Sequence, residues 1–438
     1  MTDRKANLAL FPRCQKRTID VSFEGGDITS HGSGALLLRQ AEQRTGLLQE
    51  VARRIGDDRR QKSVCHTLWG MLMQRVLGIA LGHEDLDDHL TLRDDLALQT
   101  AVGSVKRLAH PTTLGRLERR SERGWAWEIH RVIVERFIAS FDRPPEELVL
   151  DFDATDDAVH GKQVGRFFHG YYGHYCFLPL YVFCGSQLLV AYLRPSNIDG
   201  AKHAWAILAL LTRRLRQAWP DVRIILRGDS GFCRWRMLRW CERHDVDYVV
   251  GVARNAVLER HAAPFLDEAR LLLQASDKRS ARVYGETRYA AKSWDKPRRV
   301  IIKAEQIPDK ANPRFVVTSL REDAKAVYEK RYCPRGDMEN RIKEQQLGLF
   351  ADRTSSTRWW ANQLRLLLSS LAYVLVETIR RVGLKGTHLA TAQVWTIRLK
   401  LLKVGAVVLR NTRRVRLLLS SAFPDQKLFW TVARRLAA

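Results

Sequence analysis

Three acidic side chains in unlike settings carry the chemistry this sequence offers: Asp153 in LVLDFDATDD, Asp229 in RIILRGDSGF and Glu339 in YCPRGDMENRIKEQQ. The two aspartates end apolar, strand-like runs, and the glutamate lies in a basic, helix-like stretch. Carboxylates gathered from distant parts of a chain repel one another unless protons or cations compensate them. Magnesium prefers such oxygen donors and keeps several of its waters. Two such ions roughly 3.5–4 Å apart can activate an attacking oxygen and stabilise a leaving one. The trio therefore reads as a two-metal phosphoryl-transfer site, provided that rigid elements bring it together. Each residue also reads as a cap, a turn residue or half of an ion pair, and residue types alone leave both readings open.

The segment around Glu339 adds to the first reading. Tyr332, Arg335, Glu339, Lys343 and Gln346 are spaced to lie near one face of a helix. An arginine one turn before the glutamate and a lysine one turn after it could bind phosphate beside the metals. The same spacing makes a solvated ladder of i,i+4 ion pairs. Around Asp153 the sequence is crowded: Asp151, Asp156 and Asp157 are close by, and Asp151 shares the strand face of Asp153. A period of two cannot separate those two aspartates. His160 is near enough in sequence to support Asp153, whereas the spacing of His160, His169 and His174 matches no common zinc pattern. Gly228-Asp229-Ser230-Gly231 echoes the nucleophile loop of serine proteases, but Phe232 stands where a further glycine belongs. Trp294, in the basic run KSWDKPRR, could stack on an unpaired base or pack as an ordinary strand residue.

The elements that must position these residues can be traced by periodicity. A glycine-bearing lead over 1–35, with Gly25, Gly26, Gly32 and Gly34, precedes a mainly helical stretch over 36–140. Strand patterns fall at 147–153, 175–182, 188–193, 222–226 and 248–253, with helical patterns at 201–218 and 235–244 between them. Strand and helix in alternation are an α/β signature. Residues 255–330 break that rhythm with weak strands at 299–303 and 314–320 and polar turns, and read as a β-rich insertion. A helix pattern returns at Ala324 and holds to about Leu349, and beyond Asp352 the sequence is helical and basic.

Composition narrows the partners. The 438 residues carry 73 Lys and Arg against 48 Asp and Glu, a formal charge of +25 with pI near 10.1. Such a chain favours a polyanion, and nucleic acid leads because basic side chains gain affinity by displacing condensed counterions. The longest apolar stretch, 366–376, is too short to span a bilayer and reads as a packed helix. The seven cysteines are scattered with no CxxC pair, which argues against a disulfide framework or zinc site and for a reducing, cytoplasmic setting.

The blocks DFDATDDAVHG, CFLPLYVFCGSQLLVAYLRPSNIDG, RIILRGDSGFCRWRMLRWCERHDVDYVVGVARN, NPRFVVTSL and YCPRGDMENRIKEQQLG together resemble DDE-type transposases of bacterial insertion sequences, over roughly residues 145–375. An aspartate followed closely by threonine is that family's first motif, which favours Asp153, with Thr155, over Asp151. Asp229 fits its strand-terminal second aspartate. Tyr332, Arg335 and Glu339 match a tyrosine–arginine–glutamate–lysine signature, although Gln346 stands where the lysine is expected and Lys343 lies one turn earlier.

The resemblance implies a ribonuclease-H-like α/β core with a β-rich insertion, flanked by helical N- and C-terminal regions. It implies Asp153, Asp229 and Glu339 as catalytic, metal-holding residues for two Mg²⁺ ions, with Mn²⁺ able to substitute. Tyr332, Arg335, Lys343 and Trp294 would contact DNA. The partners implied are double-stranded DNA, as terminal inverted repeats and target, and a second copy of the chain, with no membrane. The corresponding division is 1–143 helical, 144–254 first part of the core, 255–323 insertion, 324–352 core helix with the third acidic residue, and 353–438 basic and helical. The expected activity is metal-dependent cleavage of element ends and strand transfer. A nuclease without strand transfer, or a DNA-binding descendant with a decayed site, are the alternatives.

Overall fold

The computed structural model describes residues 11–22, 31–276 and 278–438. Of the glycine-bearing lead, Gly25 and Gly26 lie outside the described residues, while the part before them holds a strand, β1 (Thr18–Ser22). Helices follow over Ala35–Thr45, Leu47–Ile55, Leu68–Leu81, Pro111–Arg120 and Arg123–Ile138. Thr67 starts the third of them by accepting from the Gly70 N–H, which satisfies a donor the first turn leaves free.

The central strand is β2 (Glu147–Ala154), which carries Asp151 and Asp153. A small antiparallel sheet follows, built from β3 (Asp157–Ala158), β4 (Phe167–His169) and β5 (His174–Phe177) in the order β3-β5-β4. The strand expected over 175–182 is thus two strands, because Pro179 cannot donate to a ladder and the chain changes sheets there. It resumes as β6 (Leu180–Cys184), then β7 (Gln187–Tyr192), the helix Ala204–Ala218, β8 (Arg223–Gly228), the helix Trp235–Arg243 and β9 (Val246–Val252). These strands lie in the order β7-β6-β2-β8-β9. β2, β8 and β9 run parallel, whereas β6 and β7 run antiparallel as a hairpin beside β2. Three antiparallel strands followed by two parallel ones reached through helices make this a ribonuclease-H-like core.

The insertion differs from its expectation. It opens with a helix, Ala256–Gln274, which Asn255 caps by accepting from the Val257 and Leu258 N–H groups. Pro264 inside that helix obscures its pattern in the sequence. Then β10 (Ala281–Tyr289), β11 (Arg298–Ile307), β12 (Lys310–Ala311) and β13 (Arg314–Thr318) form antiparallel pairs. β13 pairs with β9, so the insertion prolongs the core sheet instead of standing apart from it.

The C-terminal region is not wholly helical either. Its longest element, the helix Trp359–Thr378, is followed further on by β14 (Ala406–Arg410) and β15 (Arg414–Leu419), whose period-two patterns AVVLR and RVRLLL meet at a turn. β15 pairs parallel with β1, joining the two ends of the described chain. A last helix covers Gln426–Ala437.

Three apolar clusters hold the described residues together, the smallest joining Ile225 and Val249 of the sheet to Val327 and Tyr328. Of the other two, one lies between the sheet and its crossover helices, with Leu150, Phe152, Leu226 and Val250 against Leu208, Leu215 and Leu238. On the other side, Tyr181 and Phe183 belong to a core with the long helix, the N-terminal helices and β15, including Leu72, Leu367, Leu371, Tyr373 and Leu417. Each such side chain taken fully from water contributes about 1.5–3 kcal/mol relative to exposure. Of the two serines in the apolar stretch, the Ser370 hydroxyl donates to the Leu366 carbonyl at 2.8 Å, whereas the buried Ser369 hydroxyl finds no partner among the described residues. Among the described residues no helix is long and apolar enough to cross a membrane.

Candidate active site

The parallel register of β2 and β8 sets Asp151 opposite Arg227 and Phe152 opposite Gly228. Asp153 and Asp229 are the next residues on each chain, so they emerge together at the same end of neighbouring strands. Asp229 also starts a turn, its Oδ1 accepting from the Gly231 N–H at 2.9 Å. That bond fixes the carboxylate where the strand ends.

Residues 324–348 supply the third element. Their helix is irregular: a wide π turn over Val327–Tyr332 tightens to a 3₁₀ turn over Cys333–Arg335, then becomes α-helical over Gly336–Lys343 and widens again over Glu344–Gly348. Pro334 lacks an N–H and cannot continue a regular ladder at that point. The segment is tied to the sheet by Arg227, whose Nη1 donates to the Arg331 carbonyl at 2.7 Å.

Arg335 joins the first and third carboxylates. Its Nη2 donates to Glu339 Oε1 at 2.5 Å, and its Nη1 stands 3.5 Å from Asp153 Oδ2. Tyr332 completes the group. A Cβ placed on Gly251 of β9 would stand 2.7 Å from the Tyr332 hydroxyl and 2.9 Å from the Ser230 nitrogen, so that hydroxyl reaches over β9 to the Asp229 turn. Burial opposes the charge of Arg335, but Asp153, Tyr332, Glu339 and Asp229 outweigh it and raise its affinity for its proton.

The crowded aspartates around Asp153 are separated by their partners. Asp151 is buried in an ion pair with Arg227, Nη2 to Oδ2 at 2.8 Å. Asp156 faces His174 at 2.8 Å. Asp157 is buried, pushed well above the usual carboxylate range by that burial, and accepts from the Thr354 hydroxyl at 2.8 Å. Asp153 keeps the Ala154 N–H at 2.9 Å and Arg335. Its carboxyl is pushed up to about 7, by burial first, with Arg335 opposing and the charges of Asp229 and Glu339 adding to the rise. The site thus concentrates more negative charge than one guanidinium compensates.

The remaining expected residues are distributed differently. Lys343 is exposed, one turn beyond Glu339. Gln346 turns to the loop after β2, and its Nε2 donates to the Asp156 carbonyl at 2.8 Å. His160 is exposed and bonds to none of the acidic residues. Trp294 stands apart from the others. It sits between β10 and β11, edge-on to Tyr289 with centroids 5.5 Å apart, with the Arg298 guanidinium 5.5 Å from its ring. The pairing of Arg299 with Thr318, and of Thr318 with Val249, puts that turn at the end of the sheet opposite Gly251.

Sequence reasoning passed over Arg227, the partner that neutralises Asp151. It also passed over the hairpin after Asp153, whose run RFFHGYYGHY was its visible signal.

As a donor set, Asp153, Asp229 and Glu339 offer hard oxygen ligands only, which suits magnesium. The raised carboxyl of Asp153 marks a place where added positive charge lowers the energy. Among the described residues no three His, Cys, Asp or Glu side chains are drawn together closely enough to clasp an ion. Arg335 stands between Asp153 and Glu339 as the compensating cation.

Fold and site together define a ribonuclease-H-like domain with acidic residues converging at the ends of adjacent parallel strands. Residues 11–438 match the family described as transposase DDE domain group 1, and the chain belongs to that family. It is accordingly a DDE-type transposase. Comparison with curated protein sequences gives no match. Among solved structures, the chain is similar to the piggyBac transposase in a synaptic complex with hairpin DNA, at 13% identity and a TM-score of 0.40, covering 86% of this chain and 80% of that one. A likeness this loose carries no argument about fold or site.

Proposed function

We propose that this transposase cuts the DNA at the ends of a bacterial insertion sequence and joins the freed ends to target DNA. The observation that carries the reading is the emergence of Asp153 and Asp229 at adjacent strand ends, with Glu339 brought to Asp153 through Arg335. Asp153, Asp229 and Glu339 would hold Mg²⁺, for which Mn²⁺ could stand in. When bound, the metal supplies a lowered pKa for the attacking oxygen and charge neutralisation for the leaving one.

The chain's own residues do the rest. With a metal bound at the carboxylates, Arg335 is free to turn its planar donors toward a phosphodiester, a group that guanidinium forks bind well. The Tyr332 hydroxyl, beside the Asp229 turn, and the exposed Lys343 hold the backbone on either side. In the first step water attacks phosphorus, the P–O3′ bond breaks, and the departing 3′ oxygen takes up a proton. In the second, that 3′-hydroxyl attacks a phosphodiester of the target, losing its proton as the new P–O bond forms, while the target's own P–O3′ bond breaks and its 3′ oxygen leaves and takes up a proton. The basic N- and C-terminal regions would grip double-stranded DNA and pair two copies of the chain, and so two element ends.

The test is Glu339→Gln on linear DNA bearing the element's terminal repeats. Binding in a gel shift persists, while Mg²⁺-dependent cleavage falls about a hundredfold or more, equivalent to about 2.7 kcal/mol. Cleavage at the wild-type rate removes Glu339 from the site. A labelled target separates transposase from nuclease: cut ends that never join to it support the nuclease, and binding without any cleavage supports a decayed site.

A further inference from the structure

Between Asp153 and β6 the chain builds the small sheet β3-β5-β4, and the outer surface of that sheet is aromatic. Phe168 is 57% exposed, Tyr171 85% and Tyr175 47%. The rings are arranged, with Phe168 edge-on to Tyr175 at 5.7 Å and Tyr171 edge-on to Tyr172 at 5.0 Å. Large apolar rings grouped in water mark a binding face. Its exposed charge is basic: residues 158–177 include Lys162 and Arg166 and not one Asp or Glu, and Asp157, which begins β3, is buried. The Arg166 guanidinium lies 4.5 Å from the centre of the Tyr175 ring.

The inner side of this element is anchored. Gly165, at φ +87°, passes so close to Trp359 that a Cβ there would stand 2.4 Å from the indole, and Phe177 meets the same ring at 5.4 Å. The element also adjoins the acidic site. His174 and Gln346 both hold Asp156, three residues after Asp153. The Tyr172 phenol is raised to about 12 by burial and then by Asp156 and Asp153.

We propose that this hairpin is a stacking platform for unpaired nucleotides lying next to the phosphate cut at the acidic site. Aromatic rings stack on base faces, which are available only where strands are separated, and this works for any base. The interleaved basic side chains suit the backbone between stacked bases. A second copy of the chain fits this face poorly, since each copy carries +25 and the acidic residues here are already engaged, Asp157 buried on the Thr354 hydroxyl and Asp156 paired with His174. Trp294, the aromatic candidate of the insertion, lies at the other end of the sheet. The location beside a cut phosphate rests on the proposed function; the binding of unpaired DNA does not.

The experiment measures binding of the full chain by fluorescence anisotropy without divalent metal, so it is independent of cleavage. The probes are a short single-stranded oligonucleotide and a fully paired duplex of equal length. Tyr171→Ala and Phe168→Ala each weaken the single strand about fivefold or more and the duplex by less than about twofold, and Tyr171→Phe restores wild-type binding. 2-Aminopurine in the single strand is quenched by the wild type and not by the alanine variants. Tyr171 contributes little to the core, so loss of fold does not mimic the result, and thermal melts check this. Equal losses on both probes, no loss on either, or a lost dimer with unchanged oligonucleotide affinity overturns the proposal. Selective single-strand loss in a chain that never cleaves leaves it standing and rejects the catalytic reading instead.

Discussion

Arg335 stands 3.5 Å from Asp153 while its other terminal nitrogen holds Glu339, so one guanidinium is shared by two carboxylates and offsets only part of their repulsion. A divalent ion at this place takes over that compensation. In Arg335→Gln the carboxylates are left to repel one another, and the gain in melting temperature on adding Mg²⁺ or Mn²⁺ becomes larger than in the wild type. Cleavage meanwhile falls about 10- to 100-fold, because a hydrogen bond from a charged donor to phosphate is worth roughly 1.5–3 kcal/mol. A smaller metal-induced shift in the variant sinks the idea that Arg335 and the ion occupy alternative roles.

Asp151 and Asp153 share a strand face but differ in what removing them costs. Arg227→Ala leaves Asp151 buried without its partner, and such losses run to about 3–5 kcal/mol. Asp151→Ala strands Arg227 to a similar extent. Asp153→Asn removes a repulsion and leaves stability within about 1 kcal/mol of the wild type or above it. Urea denaturation of the three variants checks the order, and an Asp153→Asn protein as weak as Asp151→Ala contradicts it.

Gly251 admits no side chain. A methyl group there would stand 2.7 Å from the Tyr332 hydroxyl and 2.9 Å from the Ser230 backbone nitrogen. Gly251→Ala must move either Tyr332 or the Asp229 turn. The expected destabilisation is about 1–3 kcal/mol, with cleavage reduced further than folding explains. Adding Tyr332→Phe relieves the first contact and recovers part of the melting temperature; no recovery places the conflict in the Asp229 turn alone.

The inserted strands carry one of the acid-sensitive carboxylates. Glu305 is held down to about 2 although burial opposes this, because Lys303 and Arg282 at 2.7 Å and Asn312 at 2.8 Å all donate to its carboxylate. Its folded value lies below its ordinary 4.5, so its contribution is complete above pH 4.5 and is lost as pH falls from there toward 2. Glu305→Gln removes about 3 kcal/mol at neutral pH and flattens the fall in stability through that window. Parallel acid limbs for variant and wild type, followed by circular dichroism, reject the assignment.

Local pattern carried much of the fold. The alternation in LVLDFD and RIILRGD ends two strands at Asp153 and Asp229, and the apolar stretch at 366–376 is part of a packed helix. The same pattern failed at 255–274, where Pro264 masks a helix, and at 406–419, where basic residues in alternation form strands rather than helices. In both places neighbours decide: Phe265 of the helix lies directly over Gly285, and β15 is fixed by pairing with β1.

By itself, the sequence determined the strong positive charge, the acidic residues at strand ends and the chain order of the three candidates. Those properties depend on composition and short-range periodicity. Only the tertiary structure decided that Asp151 is silenced by Arg227, that Gln346 serves the Asp156 loop, that the insertion extends the edge at β9, and that the exposed aromatics stand beside Asp153 while Trp294 does not. Each depends on a partner distant in the chain, and a period of two or of 3.6 carries no record of which distant residue will stand opposite.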